Sequence, residues 1–125
     1  MTQPNHQIPP GQADNPGASE APYHGNGRLW TALYPEGIIQ RPRRDGSMRE
    51  KFPWWRAGRG RLVITGHRLD GRARPLQARV PAGYGPTGFQ STALIFPSGG
   101  CWSVTGAAGG ASLTFVTLVV AARGS

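Results

Sequence analysis

Trp54, Trp55 and Arg56 close the run Lys51-Phe-Pro-Trp-Trp-Arg56, and together with Tyr84 they form the set whose chemistry is easiest to name. Flat aromatic rings beside polar donors suit the faces of sugar rings and peptides. Paired tryptophans also build cores, so on an alternating strand one of the two is expected to point inward and the other to cover an edge. These four residues are the candidate ligand-binding side chains.

Catalysis needs an acid, a base and a nucleophile that converge, and the supply here is thin. Asp45 and Asp70 each precede a glycine, the context in which an aspartate bonds to its own turn. Cys101 and His67 would make a thiol–imidazole pair only if the fold joined them, and Cys101 carries no sign of activation. Gly25-Asn-Gly27 and Gly58-Arg-Gly60 lack the third glycine and following helix of a phosphate-cradling loop. The chain is therefore expected to be non-enzymatic, with no catalytic residue and no cofactor. Histidines 6, 24 and 67 are too scattered for metal-ligand spacing, so no metal is expected. The lone Cys101 excludes an intramolecular disulfide, and beside Trp102 it reads as a small buried apolar group.

The elements that position these residues follow from composition and period. With 19 Gly and 12 Pro in 125 residues and only 16% charged residues, helix interiors are disfavoured throughout. Residues 1–22 are rich in Pro, Gln, Asn and Gly, carry only Asp14 and Glu20 as charges, and are expected to form a disordered linker. Residues 23–125 form the domain. Arg28–Tyr34 alternates as a strand, and Ile38-Ile39 begins a short one. Pro53 lacks a ladder donor and assigns 51–56 to an edge strand or packed loop.

Strand 60–69 follows, then Leu76–Val80 with Leu76, Ala78 and Val80 inward and Gln77 and Arg79 outward. Segment 81–88 is a turn-rich loop. Strands at 89–96, 101–105 and 112–120 complete the set, the last two joined across 106–111, with Trp102 a core anchor. About seven strands and no helix predict an all-β, single antiparallel sandwich. The apolar run 113–122 is about half the length that crosses a bilayer, so no transmembrane span is expected.

The ending Phe96-Pro-x-x-Gly100-x-Trp102-x-Val-Thr105, a glycine-rich turn, then alternating Thr and large apolar residues resembles the last hairpin of bacterial immunoglobulin-like domains. His24-Gly-Asn-Gly27, Leu29-Trp30, Phe52-Pro-Trp-Trp-Arg56, Gly66-x-Arg68-Leu-Asp70, Gly83-Tyr-Gly85, Gly88-Phe-Gln90, Gly100-Cys-Trp102 and Ser112-Leu-Thr-Phe-Val116 extend the likeness. Over 23–120 they resemble a group of uncharacterised bacterial secreted or lipid-anchored proteins. The resemblance implies an immunoglobulin-like β-sandwich and an extracytoplasmic location, periplasmic or at the cell surface. Such proteins start with a signal peptide, often with a lipidated cysteine, before a Pro/Asn-rich spacer. Met1 is followed by Thr-Gln-Pro-Asn rather than a basic and then apolar leader. Met1 is therefore expected to be an internal start of an exported product; taken literally, the chain would stay in the cytoplasm.

Two classes of function remain. The first is a cell-envelope or extracellular binding or interaction module, its partner a glycan or an envelope protein. The second is a cytoplasmic nucleic-acid-binding domain, with Arg41, Arg43, Arg44, Arg56, Arg59, Arg61 and Arg68 as a basic face and Trp55 or Tyr84 stacking on bases. The formal charge of +8 is carried by arginine, with Lys51 the single lysine, a skew that the codon bias of a GC-rich genome also produces.

Overall fold

Alternating apolar and polar side chains leave one face of each strand to be buried, and in the computed structural model that demand is met by two sheets around one core. The structure describes residues 1–123, with strands and turns and no helix among them. The strands are β1 (Tyr23–Gly25), β2 (Leu29–Ala32), β3 (Ile38–Gln40), β4 (Met48–Arg56), β5 (Val63–Arg68), β6 (Gln77–Arg79), β7 (Gly88–Phe96), β8 (Gly100–Ala108) and β9 (Ala111–Ala121). Sheet A has the order β1-β2-β4-β7-β6 and sheet B the order β3-β9-β8-β5. Nine strands replace the expected seven or so: β3 is the short strand that Ile38-Ile39 begins, and three-residue β1 is too short to leave a period. The pairing is not wholly antiparallel either: β3 runs parallel to β9, Ile38 opposite Val119.

The core is aromatic and draws on both sheets. Phe52 stacks on Phe115 at 5.7 Å between ring centroids, Trp54 tilts against Phe115 at 6.2 Å, and Phe96 meets Trp102 edge-on at 5.4 Å. Such pairs add about 0.5–1.5 kcal/mol each beyond the area they bury. Trp54 lies so close to β8 that a Cβ on Gly106 would sit 2.5 Å from its ring, which reserves that position for glycine. The expected six-residue connection after β8 shrinks to Gly109-Gly110, with φ of +56° and +80°, between the paired Ala108 and Ala111. Two consecutive left-handed residues match the twist of a tight hairpin.

Pro53 is where the edge assignment fails, since β4 is the middle strand of sheet A. The Phe52 carbonyl faces β7, where it accepts the Thr92 hydroxyl (2.9 Å), while the Pro53 carbonyl faces β2 and accepts the Thr31 hydroxyl (2.7 Å). A strand residue points its N–H and C=O to the same side. The N–H that Pro53 lacks thus falls beyond Thr31–Trp54, the last β2–β4 partner pair, and no bond to β7 is lost.

Residues 1–22 do not hang free. Thr2 bonds twice to Val116 of β9, backbone N–H to carbonyl (2.9 Å) and hydroxyl accepting from the Val116 amide (2.8 Å). Three residues on, the Asn5 side chain brackets Gly25 of β1, the Asn5 amide donates to His24 Nδ1 (3.2 Å), and the His6 amide donates to Tyr23 O (2.9 Å). Residues 2–6 thereby strap edge strand β1 of sheet A to β9 of sheet B at Val116, outside the stretch 119–121 that β3 pairs, capping backbone groups that would otherwise be exposed. The composition that suggested disorder is the composition of turns, and residues 9–21 are held by a chain of local backbone bonds.

The strap is pH-dependent, because His24 Nδ1 must be unprotonated to accept. Partial burial holds its pKa below the usual imidazole range. Its contribution is present above the unfolded value of about 6.5 and is lost as pH falls through the lower folded value. The protection factors of the Asn5 and His6 amides, exchange rates corrected for the intrinsic pH dependence, are expected to fall as the pH drops through the lowered His24 value while those of the β8–β9 amides stay constant, and His24→Gln should remove that step. Protection factors at Asn5 and His6 that do not change with pH in the wild type would rule out control of the strap by His24.

Candidate functional site

The last turn of alternation on β4 distributes the predicted site. Trp54 points into the core and is fully buried, Trp55 points out of the opposite face of sheet A, and Arg56 points inward again at the end of the sandwich. Trp54 points inward as expected of one of the pair, but Trp55 covers the outer face of the middle strand and not an edge, and the four candidate residues do not converge. Trp54 is unavailable to any ligand. Its indole N–H finds no partner among the described residues, a cost the tight aromatic packing has to carry. Trp55 is covered too, by Tyr23 edge-on at 5.6 Å and by Phe89 of β7 at 5.5 Å.

Arg56 is 4% exposed and faces no carboxylate. Its guanidinium donates to backbone carbonyls instead: Nη1 to Gly60 at 3.0 Å, Nη2 to Gly85 at 2.9 Å and Thr87 at 3.3 Å, with Nε reaching Gly88 at 3.4 Å. A guanidinium stays charged at any accessible pH, so burying it requires its donors to be met. Carbonyl dipoles from the 81–88 loop and from Gly60 do so. Arg56 is thereby a clamp on that loop and not a free hand for a ligand.

What the clamp holds open is a cleft of about 500 Å³ at the end of the sandwich, lined by Arg56, Arg61, Leu62, Pro81, Tyr84 and Gln90 among others. Tyr84, 37% exposed, stands at its mouth and meets Phe89 edge-on at 5.8 Å, continuing the row Tyr23–Trp55–Phe89 to the cleft. Gln90 faces inward from β7, opposite Trp54. Its Nε2 donates to Pro81 O (2.9 Å), while its Oε1 is buried with no partner among the described residues. The site is therefore Tyr84, Gln90, Arg61 and the proline rim, with Arg56 beneath it. Gln90 was missed by sequence reasoning; the available signal was an amide at an inward position of an otherwise apolar strand.

The other predicted chemistries disperse. Arg41, Arg43 and Arg44 precede β4 while Arg56, Arg59 and Arg61 end or follow it, and nine strand residues at about 3.4 Å each hold the two groups roughly 30 Å apart. Arg68 is bonded to Asp70 (2.9 Å), so the seven arginines form no single face. Cys101 is half-buried on the outward face of β8, not enclosed as expected, because its alternation partner Trp102 takes the inward direction. No hydrogen bond links it to His67 among the described residues. Asp70 accepts from the Cys101 amide and from Arg68, and Asp45 from the Ser47 hydroxyl and amide. These donors hold both carboxyls below the usual range, as suits turn-capping anions. Glu50 is braced by the Tyr34 hydroxyl and the Gln40 amide, and burial first, then Glu50, pushes the Tyr34 phenol up. Among the described residues no three His, Cys, Asp or Glu side chains are grouped to hold a metal ion, and no helix is long and apolar enough to cross a membrane. The chain matches no family model, no curated protein and no solved structure.

Arg56→Lys tests the clamp. An ammonium has the charge but not the planar fork, so carbonyls of the 81–88 loop lose their donor. Urea denaturation is expected to show a loss of about 2–3 kcal/mol, with faster amide exchange confined to residues 82–88. Unchanged exchange there would show that the loop is held by something else.

Proposed function

We propose that this chain is a non-enzymatic, immunoglobulin-like binding module of the cell envelope or extracellular space, and that its ligand is a glycan docked at the end cleft. The observation that carries the proposal is the pairing of Tyr84 with Gln90 across a rigidly held loop: an exposed ring for the apolar face of a sugar, beside a buried acceptor for a hydroxyl. Pockets built this way, largely apolar with a few fixed polar groups, bind by preorganisation. The absence of free acids at the cleft supports a binding role over a hydrolytic one, since glycoside hydrolysis generally needs a pair of carboxyl groups across the bond and no Asp or Glu lines this space.

Strand order supports the immunoglobulin-like assignment. Setting aside β1 and β3, sheet A runs β2-β4-β7-β6 and sheet B β9-β8-β5. With these seven strands lettered A to G in chain order, the sheets read ABED and GFC, the order typical of that fold.

Binding is tested by titrating purified protein with a panel of soluble polysaccharides and following tyrosine and tryptophan fluorescence. Tyr84→Ala is expected to weaken the best ligand at least tenfold with an unchanged melting temperature, because Tyr84 lies outside the core. Absence of any saturable glycan binding would overturn the proposal.

The extracytoplasmic location is tested separately by the intact mass of the protein recovered from fractionated host cells. A processed or lipid-modified N-terminus in the envelope or medium is expected. A cytoplasmic protein starting at Met1 would reverse it.

A further inference from the structure

We infer that the outer face of sheet A carries a second site, an oxyanion groove formed by Arg49, Lys51 and Arg79 that takes a phosphate-type group. Register places it. Lys51 of β4 and Arg79 of β6 stand at the same level on either side of Ala93 of β7, and Arg49 lies one step along β4 on the same face, opposite Ile95. With neighbouring strands about 4.8 Å apart, Lys51 and Arg79 straddle a strip roughly 10 Å wide whose centre is built from the short side chains of Ser91 and Ala93. The result is a groove of about 110 Å³ lined by the three cations, Pro81 and residues 91–93, the room of roughly four waters. Cations on both walls and the Ser91 hydroxyl in the floor are the donors that a tetrahedral oxyanion requires.

Among the described residues nothing neutralises these charges. Like charges at neighbouring positions of a sheet cost stability, yet none of the three makes an ion pair; the one ion pair among the described residues is Arg68–Asp70. Glu50, between Arg49 and Lys51 in the chain, points to the other side and is held by Tyr34 and Gln40. Protection of an open sheet edge accounts for Arg79 on the edge strand β6. It does not account for Arg49 and Lys51, which stand on the central strand. Pro81 lines this groove and the end cleft alike, so the two sites adjoin, but the groove stands on its own cations whether or not the cleft takes a glycan.

Two probes separate free from polymer-borne phosphate: inorganic phosphate, followed by the backbone amide shifts of residues 91–93, and a linear polyphosphate, followed by calorimetry, both in low-salt buffer. Saturable shifts confined to residues 49–51, 77–81 and 91–95 are expected. Polyphosphate binding more than tenfold tighter per chain assigns the site to a polymer, and equal affinities assign it to the free anion; either supports the groove. The variant Lys51→Gln with Arg79→Gln should lose at least tenfold, while the charge-matched Arg28→Gln with Arg59→Gln, exposed near the opposite end of β4 from Arg49, should lose less than twofold. Equal loss in the two variants would reduce the effect to net charge and overturn the proposal. So would failure of both probes to titrate while the wild type melts normally.

Discussion

A period of two along β4 is the constraint from which most of the molecule follows. Trp54 goes inward and seals the aromatic core, Trp55 goes outward and anchors a surface row of rings, and Arg56 goes inward again where the core ends. A one-residue slip would turn Trp54 and Arg56 outward and bring Lys51, Pro53 and Trp55 to the face where Phe115 now packs. The register is held by β7 along the whole strand, from Met48–Phe96 to Arg56–Gly88. The neighbouring chain positions 54, 55 and 56 thus serve three separate ends: packing, covering the outer face, and holding a loop.

Burying an arginine without a carboxylate explains why the loop 81–88 can frame a cleft at all. A glycine- and proline-rich segment has little side-chain packing of its own to fix it. Arg56 converts the loop carbonyls, which would otherwise seek water, into obligatory partners of a charge that has no other way to be satisfied. The dependence is mutual. Without the carbonyls the guanidinium could not be buried, and without the guanidinium the carbonyls would not be gathered. Tyr84 and Gln90 inherit fixed positions from that exchange, which is the condition for a preorganised site.

The parts legible from sequence are those written in local alternation. Leu76, Ala78 and Val80 turn inward and Gln77 and Arg79 outward as their order dictates, and strands β7 to β9 fall where apolar period and turn residues put them. What escaped is non-local or directional. Pro53 was assigned to an edge because a missing donor was counted without asking which neighbour it would have served. Residues 1–22 looked unstructured because polar composition does not reveal that Asn5 meets Gly25 or that Thr2 meets Val116, 114 residues away. The three-residue strand β1 carries no period, and Arg56 is bonded to backbone, which has no side-chain signature. The four-residue candidate site was half legible: Trp55 points to the face opposite Arg56, and Trp54, on the same face as Arg56, is sealed in the core against Phe115, so Arg56 and Tyr84 reach the cleft while the tryptophans cannot.

Electrostatics then decides where the outside of the molecule can act. The chain has 14 cationic side chains and 6 acidic ones, so most of its positive charge could never be paired internally. Three of the acids are moreover already engaged: Asp45 on its own turn, Asp70 on Arg68 and the Cys101 amide, Glu50 on Tyr34 and Gln40. An acid committed to a turn is held ionised by nearby donors and is not free to screen a cation on another strand. Ion pairing with the remaining exposed arginines would in any case add little, since surface pairs are worth about 0–1 kcal/mol. The distribution of charge therefore follows the topology rather than pair formation. Cations brought to one level by cross-strand register, as Lys51 and Arg79 are across Ala93, have no ion-pair partner among the described residues, which is the condition for taking up an external anion.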